Sequence, residues 1–111
     1  MTGGHNELGS REVKYAVITA TTTSGDNTIV AAVSGKRIRV LSYTLASSGN
    51  STVTWKSDNS TALSGTMYTN EIDQLVCGYT PDGHFQTVAG EALTATLGNV
   101  AYHGHLSYIE A

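Results

Sequence analysis

The sequence predicts an all-β protein: an antiparallel β-sandwich of jelly-roll type with eight or nine short strands. Short segments alternate apolar and polar residues and are rich in Val, Ile, Thr and Tyr, which suit the pleated, half-buried surface of a strand. Turn residues recur about every ten residues between these segments. No segment has the period of an amphipathic helix. Eight strands in about 100 residues favour two packed sheets, with an immunoglobulin-like sandwich as the alternative.

The predicted strands follow the chain in order. Residues 12–20 alternate, with Tyr15 and Val17 on one face and Ala16 and Ile18 on the other. Thr80-Pro81-Asp82-Gly83 is a strong turn signal, because Pro presets φ at the second position and Gly is favoured at the fourth. Beyond residues 36–57, the other predicted strands lie at residues 28–33, 63–69, 74–79, 84–88, 92–97 and 100–110.

The most strongly β-like segment spans residues 36–57 and predicts a long β-hairpin around which the other strands pack. Its first arm runs through Ile38, Val40 and Tyr43, and residues 53–55 return. The Ser-Ser-Gly-Asn sequence between the arms favours a turn, because Gly and Asn tolerate positive φ. Gly98-Asn99 predicts a second hairpin turn before the last strand.

Length and composition indicate one β-sandwich domain over residues 12–111, preceded by a short arm. Residues 1–11 contain little apolar content, so we expect a flexible N-terminal arm or a vector-derived remnant. Charged residues make up only 14% of the chain, against about 25% in a typical domain. Ser and Thr take their place, which predicts a neutral, hydroxyl-rich surface suited to broad contact with partners.

The charge distribution argues against nucleic-acid binding through phosphate neutralisation, since the net charge is −3. Residues 1–57 hold all six basic side chains and three acidic ones, whereas residues 58–111 hold six acidic side chains and no basic one. Two interpretations remain open: the two halves mix on the folded surface, or they form opposite-sign faces that meet between copies in a ring or against a larger assembly.

The single cysteine and the lack of long apolar runs indicate the cellular compartment in which the protein is made. Cys77 is alone, so no internal disulfide or thiolate cluster forms, and its apolar neighbours predict a buried thiol. No run of about 18 apolar residues is present, and the N-terminus lacks the apolar region of a signal peptide. We expect a protein made in a reducing cytoplasm, without membrane contact.

His103 and His105 lie two residues apart on the last predicted strand, so both project from one face. They are either surface or inter-subunit histidines, or two ligands of a metal whose third ligand the sequence does not provide. At a symmetry axis they would make assembly pH-sensitive near the ordinary histidine pKa of about 6.5.

Lys36, Arg37 and Arg39 form the only basic cluster. Charged side chains at a strand edge discourage edge-to-edge pairing, and a contact with an acidic patch of a partner protein is the other interpretation. Glu71 and Asp73 share a strand spacing, but no loop pattern for a cation surrounds them. We predict no catalytic, metal or cofactor site.

Three aromatic residues, Trp55, Tyr43 and Tyr68, are candidates for a platform on which a sugar could stack. A lone Trp in the centre of a sandwich more often belongs to the core. The two interpretations differ in what Trp55→Ala would do: abolish sugar binding, or unfold the protein.

The order of strands and turns resembles small β-sandwich capsid cement or decoration proteins of tailed bacteriophages. The resemblance spans residues 13–110 and is carried by TIVAAVSGKRIRVLSYTLAS at 28–47, VTWKS at 53–57, AGEALTATLG at 89–98 and HGHLSYIE at 103–110. It implies a non-enzymatic protein, often a homotrimer, at capsid three-fold positions in contact with the major capsid protein. The implied location is the virion surface, after assembly in the host cytoplasm. The family has no motif from which site residues transfer.

The alternative function is a receptor- or glycan-binding domain of a phage tail fibre or head fibre, acting through exposed aromatic side chains. A third class, a hydrolase on a jelly roll, would need two facing carboxylates about 5–9 Å apart. The sequence offers no acid–base pair for that chemistry.

Overall fold

A computed structural model describes residues 12–20, 25–70 and 74–111, and these residues form ten strands and no helix. The predicted N-terminal arm at residues 1–11 lies outside this range. The strands are β1 (Lys14–Ala20), β2 (Asp26–Val30), β3 (Ile38–Ser47), β4 (Ser51–Ser57), β5 (Thr61–Ala62), β6 (Met67–Thr69), β7 (Gln74–Cys77), β8 (Phe85–Gln86), β9 (Leu93–Leu97) and β10 (Tyr102–Glu110).

The strands make two antiparallel sheets that pack face to face. The first sheet has the order β1–β10–β3–β7, with β8 also on β3, and the second has β2–β9–β4–β5, with β6 also on β4. Consecutive strands repeatedly cross from one sheet to the other, which is the connectivity of a jelly roll. The predicted all-β, jelly-roll-like sandwich is confirmed, with ten strands where eight or nine were predicted. Within the described ranges, no helix is long and apolar enough to cross a membrane.

The core lies between the sheets and follows from the two-residue period of each strand. Alternate side chains of the four central strands point inward; these strands are β3 and β10 in the first sheet and β4 and β9 in the second. Full burial of a large apolar side chain contributes about 1.5–3 kcal/mol to the stability of the folded state. The largest fully buried side chains on these strands are Ile38, Leu41, Leu45, Trp55, Leu93, Leu97, Tyr102 and Leu106.

The predicted β-hairpin over residues 36–57 is wrong. β3 and β4 follow one another but lie in opposite sheets, where β3 pairs with β10, β7 and β8, and β4 pairs with β9, β5 and β6. Each strand has one apolar face, and facing each other across the core buries both. The Ser-Ser-Gly-Asn sequence, which would also suit a hairpin turn, connects the two sheets instead. Within this connection the Ser47 hydroxyl donates to the Gly49 carbonyl over 2.7 Å.

The hairpin turn predicted at Gly98-Asn99 is also wrong, because β9 and β10 belong to different sheets. Instead, the Ser51 hydroxyl accepts hydrogen bonds from the backbone N–H groups of Asn99 at 3.2 Å and Val100 at 3.1 Å. Gly98 N–H donates to the Thr52 carbonyl at 3.0 Å. The start of β4 therefore fixes the corner that leads into the last strand.

Gly104 sits in the middle of β10, opposite Ile18 of β1 and Leu45 of β3. A Cβ atom built at this glycine would overlap the backbone carbonyl of Thr44. The overlap involves backbone, which cannot move aside as a flexible side chain can. This position in the centre of the first sheet therefore requires glycine.

We expect Gly104→Ala to lower the free energy of unfolding by about 1–3 kcal/mol, because the methyl group must push β3 away. Urea unfolding followed by tryptophan fluorescence measures the change. The matched control is Gly65→Ala, where an added Cβ meets nothing within 4 Å. Equal losses for the two variants would contradict the packing role of Gly104.

Candidate functional site

The outer face of the first sheet collects side chains from four strands in register. Val17 of β1 lies opposite His105 of β10, which lies opposite Thr44 of β3, which in turn lies opposite Val76 of β7. We call this surface the histidine face; it consists of Tyr15, Val17, Thr19, Ser42, Thr44, Ala46, Gln74, Val76, His103 and His105.

The histidine face exposes large apolar side chains, and none of its ten residues named above is Asp, Glu, Lys or Arg. Tyr15 is 77% exposed, Val17 78% and Val76 68%. Tyr15 and Val17 lie on β1 and Val76 lies on β7, so the exposed apolar side chains occupy the two outer strands of the sheet, with His105 and Thr44 between them. A surface that exposes apolar side chains among uncharged polar ones suits contact with another protein.

His103 and His105 lie on one exposed face, as their spacing predicts. Their neighbours on β1 are Thr19 and Val17, and those on β3 are Ala46 and Thr44. In the part of the chain that is described, no three His, Cys, Asp or Glu side chains come together as a metal site. The inter-subunit role of the two histidines stays a prediction.

The three basic residues of the predicted cluster lie at one end of the sandwich, but each has different neighbours. Lys36 lines a cleft with Glu12, Lys14 and Glu110. The Arg37 guanidinium donates to the Thr87 carbonyl at 3.3 Å. Arg39 donates from Nε to Oε1 of Gln86 at 3.0 Å and lines a second cleft with Asp82. Their role in partner contact stays a prediction.

Charges from the basic and acidic halves of the chain meet at this same end. Lys14 Nζ lies 3.1 Å from Glu110 Oε2, and this hydrogen bond, together with the glutamate's charge, raises the pKa of Lys14. An exposed pair of this kind contributes little to stability. The pair joins a basic residue from the first half of the chain to an acidic residue from the second half. At this end of the sandwich, the charges of the two halves therefore mix on the folded surface, as the first of the two interpretations predicts.

Two of the three residues proposed as a sugar platform belong to the core. Trp55 is 0% exposed and Tyr43 is 7% exposed, and their ring centroids lie 5.3 Å apart. Both occupy inward positions on central strands. The interpretation of Trp55 as a core residue is therefore confirmed, and the alternative of a sugar platform is wrong for Trp55 and Tyr43. Phe85 completes the aromatic cluster, with its centroid 5.8 Å from Trp55.

The Tyr43 hydroxyl donates to the Met67 sulfur at 3.6 Å. Burial raises the pKa of Tyr43, and the neighbouring Cys77 thiol adds to the effect. Cys77 itself is only partly buried, at the margin of the core. The thiol is therefore less buried than predicted, since β7 is short and lies at the edge of its sheet.

Tyr68 differs from the other two aromatic residues because it points outward from β6 and is 79% exposed. It borders an open cleft of about 320 Å³ at the end of the sandwich opposite the basic residues. We call this cleft the asparagine pocket; it is lined by Asn50, Ser51, Thr52, Tyr68, Thr69, Asn70, Gly98 and Asn99.

Sequence reasoning missed the exposed apolar residues of the histidine face and the asparagine pocket. Both faces of β1 carry apolar residues, so the pattern could not show that Tyr15 and Val17 point outward. The pocket joins three segments that are far apart in the chain. Glu71 and Asp73, considered above as a carboxylate pair, lie outside the described residues.

Comparison with known proteins adds no family assignment: no protein-family model and no curated protein matches this chain.

We expect Trp55→Ala to lower the free energy of unfolding by about 3–5 kcal/mol, because it removes the largest buried side chain from the core. Tyr68→Ala should change it by less than about 0.5 kcal/mol, since the ring is on the surface. Urea unfolding of both variants, followed by circular dichroism, tests this. A Trp55 variant as stable as the wild type would refute its place in the core.

Proposed function

We propose that this chain is a non-enzymatic structural protein of a tailed-bacteriophage virion, which binds the outside of the capsid and stabilises contacts between major capsid subunits. The observation that supports the proposal best is the histidine face: its ten residues include no Asp, Glu, Lys or Arg, and it exposes Tyr15 and Val17 on one outer strand and Val76 on the other. The resemblance to capsid decoration proteins supplies the class. Localisation on the virion surface, after assembly in the host cytoplasm, follows from that class.

In this proposal the histidine face is the contact between copies in a homotrimer. The ten residues of three such faces, meeting around a three-fold axis, would bring no Asp, Glu, Lys or Arg into the contact, and the desolvation of such a charge would otherwise oppose association by several kcal/mol per ion. Burial of Tyr15 and Val17 at one edge of the face and of Val76 at the other, against neighbouring copies, would provide the apolar area of the interfaces.

The capsid contact in this proposal is the end of the sandwich that bears Lys36, Arg37 and Arg39. These residues precede or begin β3, and the backbone of Arg37 pairs with that of Ala111 at 2.7 and 2.8 Å, so the segment is held in place. The long-range attraction of cationic side chains for an acidic capsid patch would speed and orient docking.

Val17→Glu tests the contact between copies. We expect the wild-type protein to have the mass of a trimer and the variant to shift to monomer, because each interface would bury an unpaired carboxylate. Light scattering after size exclusion measures the mass. Thr28→Glu is the matched control, since Thr28 is exposed on β2, the corresponding end strand of the second sheet. A monomeric wild type would contradict the homotrimer.

The same measurement across roughly pH 5 to 8 tests the two histidines. Protonation places positive charges on both sides of the interface, so we expect the trimer to dissociate as the pH falls. On the neighbouring strands, the register partners of the two histidines are Thr19 and Val17 of β1 and Ala46 and Thr44 of β3, and none of these four residues has a titratable side chain. The double variant His103→Gln, His105→Gln should remain trimeric throughout. Equal pH dependence of variant and wild type would remove the histidines from the interface.

Replacement of Lys36, Arg37 and Arg39 by Glu tests the capsid contact. We expect occupancy on capsids that lack the protein to fall at least about tenfold, as the attraction becomes repulsion. Co-sedimentation with such capsids measures occupancy. The control is a pair of single variants that change the net charge equally. Arg39→Glu alters the basic end, whereas Lys56→Glu alters the outer face of the second sheet. Unchanged occupancy of the triple variant would rule out the basic residues as the contact.

A further inference from the structure

We propose that the asparagine pocket binds a neutral carbohydrate. It is formed where β4 begins, β6 ends and β9 ends, at one end of the sandwich. Its volume of about 320 Å³ is at the lower limit of small-ligand pockets, which usually range from roughly 300 to 1,000 Å³. This size suits one or two sugar rings bound at the surface.

The Tyr68 ring supplies an apolar platform beside the pocket. It lies on β6 directly opposite Thr52 of β4, and the side chain is 79% exposed. The C–H groups on one face of a sugar ring are apolar and can cover an aromatic ring, while the phenol hydroxyl stays in contact with water or a sugar hydroxyl. An exposed tyrosine at the mouth of a polar cleft fits this mode of binding.

Asn50, Asn70 and Asn99 surround the pocket with amide groups. Each amide has two N–H donors and a carbonyl acceptor, which match the mixed donor and acceptor character of sugar hydroxyls. The Asn99 side chain is oriented by a hydrogen bond from Nδ2 to the Asn50 carbonyl at 3.0 Å. Among the described residues of the lining, only Tyr68 has an ionisable side chain, which favours a neutral ligand.

Buried hydroxyls below the pocket hold its walls in place. The Thr69 hydroxyl lies 2.6 Å from the Tyr102 hydroxyl and 3.0 Å from that of Ser47, which ties the end of β6 to the first sheet. Ser51 binds the backbone of Asn99, as described above. A site whose walls are already fixed loses less conformational entropy when it binds. Thr69 and Ser51 thus position the flanking Tyr68, Asn50 and Asn70.

The pocket lies at the far end of the sandwich from the proposed capsid contact. Ile38 and Ser47 begin and end β3, and ten strand residues extend about 30 Å. A copy that docks through its basic end would therefore present the pocket outward, where it could hold the particle to a glycan-bearing surface. The sugar site itself does not depend on the proposed capsid role.

Amide chemical shifts of the isolated protein test this inference. The probes are methyl glycosides of glucose, galactose, mannose and N-acetylglucosamine at millimolar concentrations, with glucuronic acid as the charged comparison. We expect at least one neutral glycoside to shift the amides of Tyr68, Gly98 and Asn99 in a saturable manner. No shift with any neutral glycoside, shifts confined to other residues, or a preference for glucuronic acid would each overturn the proposal.

Two variants locate the binding. Tyr68→Ala should weaken the affinity for the bound glycoside at least about tenfold, whereas Tyr68→Phe keeps the ring and should retain most of it. Tyr79→Ala is the matched control, since Tyr79 is 62% exposed but lies outside the pocket. Undiminished binding by a folded Tyr68→Ala protein would overturn the inference. Because these titrations need no capsid, their failure is distinguishable from failure of the proposed virion role.

Discussion

The rest of the structure depends on one constraint: each central strand must bury one face between the two sheets. Trp55 and Tyr102 approach this core from opposite sheets, and both are fully buried. Since side chains alternate along a strand, burial of one set determines which residues remain outside. The histidine face is the outward counterpart of this core, and Tyr68 is likewise placed outside by the inward direction of its neighbours Met67 and Thr69.

Hydroxyl groups complete the ends of the sandwich, where strand pairing stops and backbone groups would otherwise lack partners. The Thr87 hydroxyl accepts from the Ile38 N–H at 2.9 Å. The Ser57 hydroxyl accepts from the Val88 N–H at 3.0 Å and donates to Glu91 at 2.6 Å. The abundance of Ser and Thr, which the composition indicated as a surface property, thus has a second origin inside the molecule. A chain with few charges can close its corners with hydroxyls because these both donate and accept.

The alternation of apolar and polar residues was sufficient to predict the fold class and the shared face of His103 and His105. It could not predict strand partners, since a turn such as residues 48–50 joins two strands equally well within one sheet or between two. It also could not predict which side of β1 faces outward, because apolar residues occupy both sides. The asparagine pocket was beyond sequence reasoning for another reason: its walls meet only after β4, β6 and β9 have reached their places in the second sheet.

The pairing of the first strand with the last has a consequence for synthesis on the ribosome. β10 lies between β1 and β3 and pairs antiparallel with both, with one register shift against β3 between Ser107 and Tyr108. Until Tyr102–Glu110 has been translated, the nascent chain therefore holds two strands whose inner edges have no partner, and the first sheet cannot form. Contacts between such distant segments carry a large loop-closure entropy and make folding slow, on a scale of milliseconds to seconds. Exposed strand edges in that interval favour pairing between neighbouring nascent chains, so slower initiation of translation should raise the yield of folded protein.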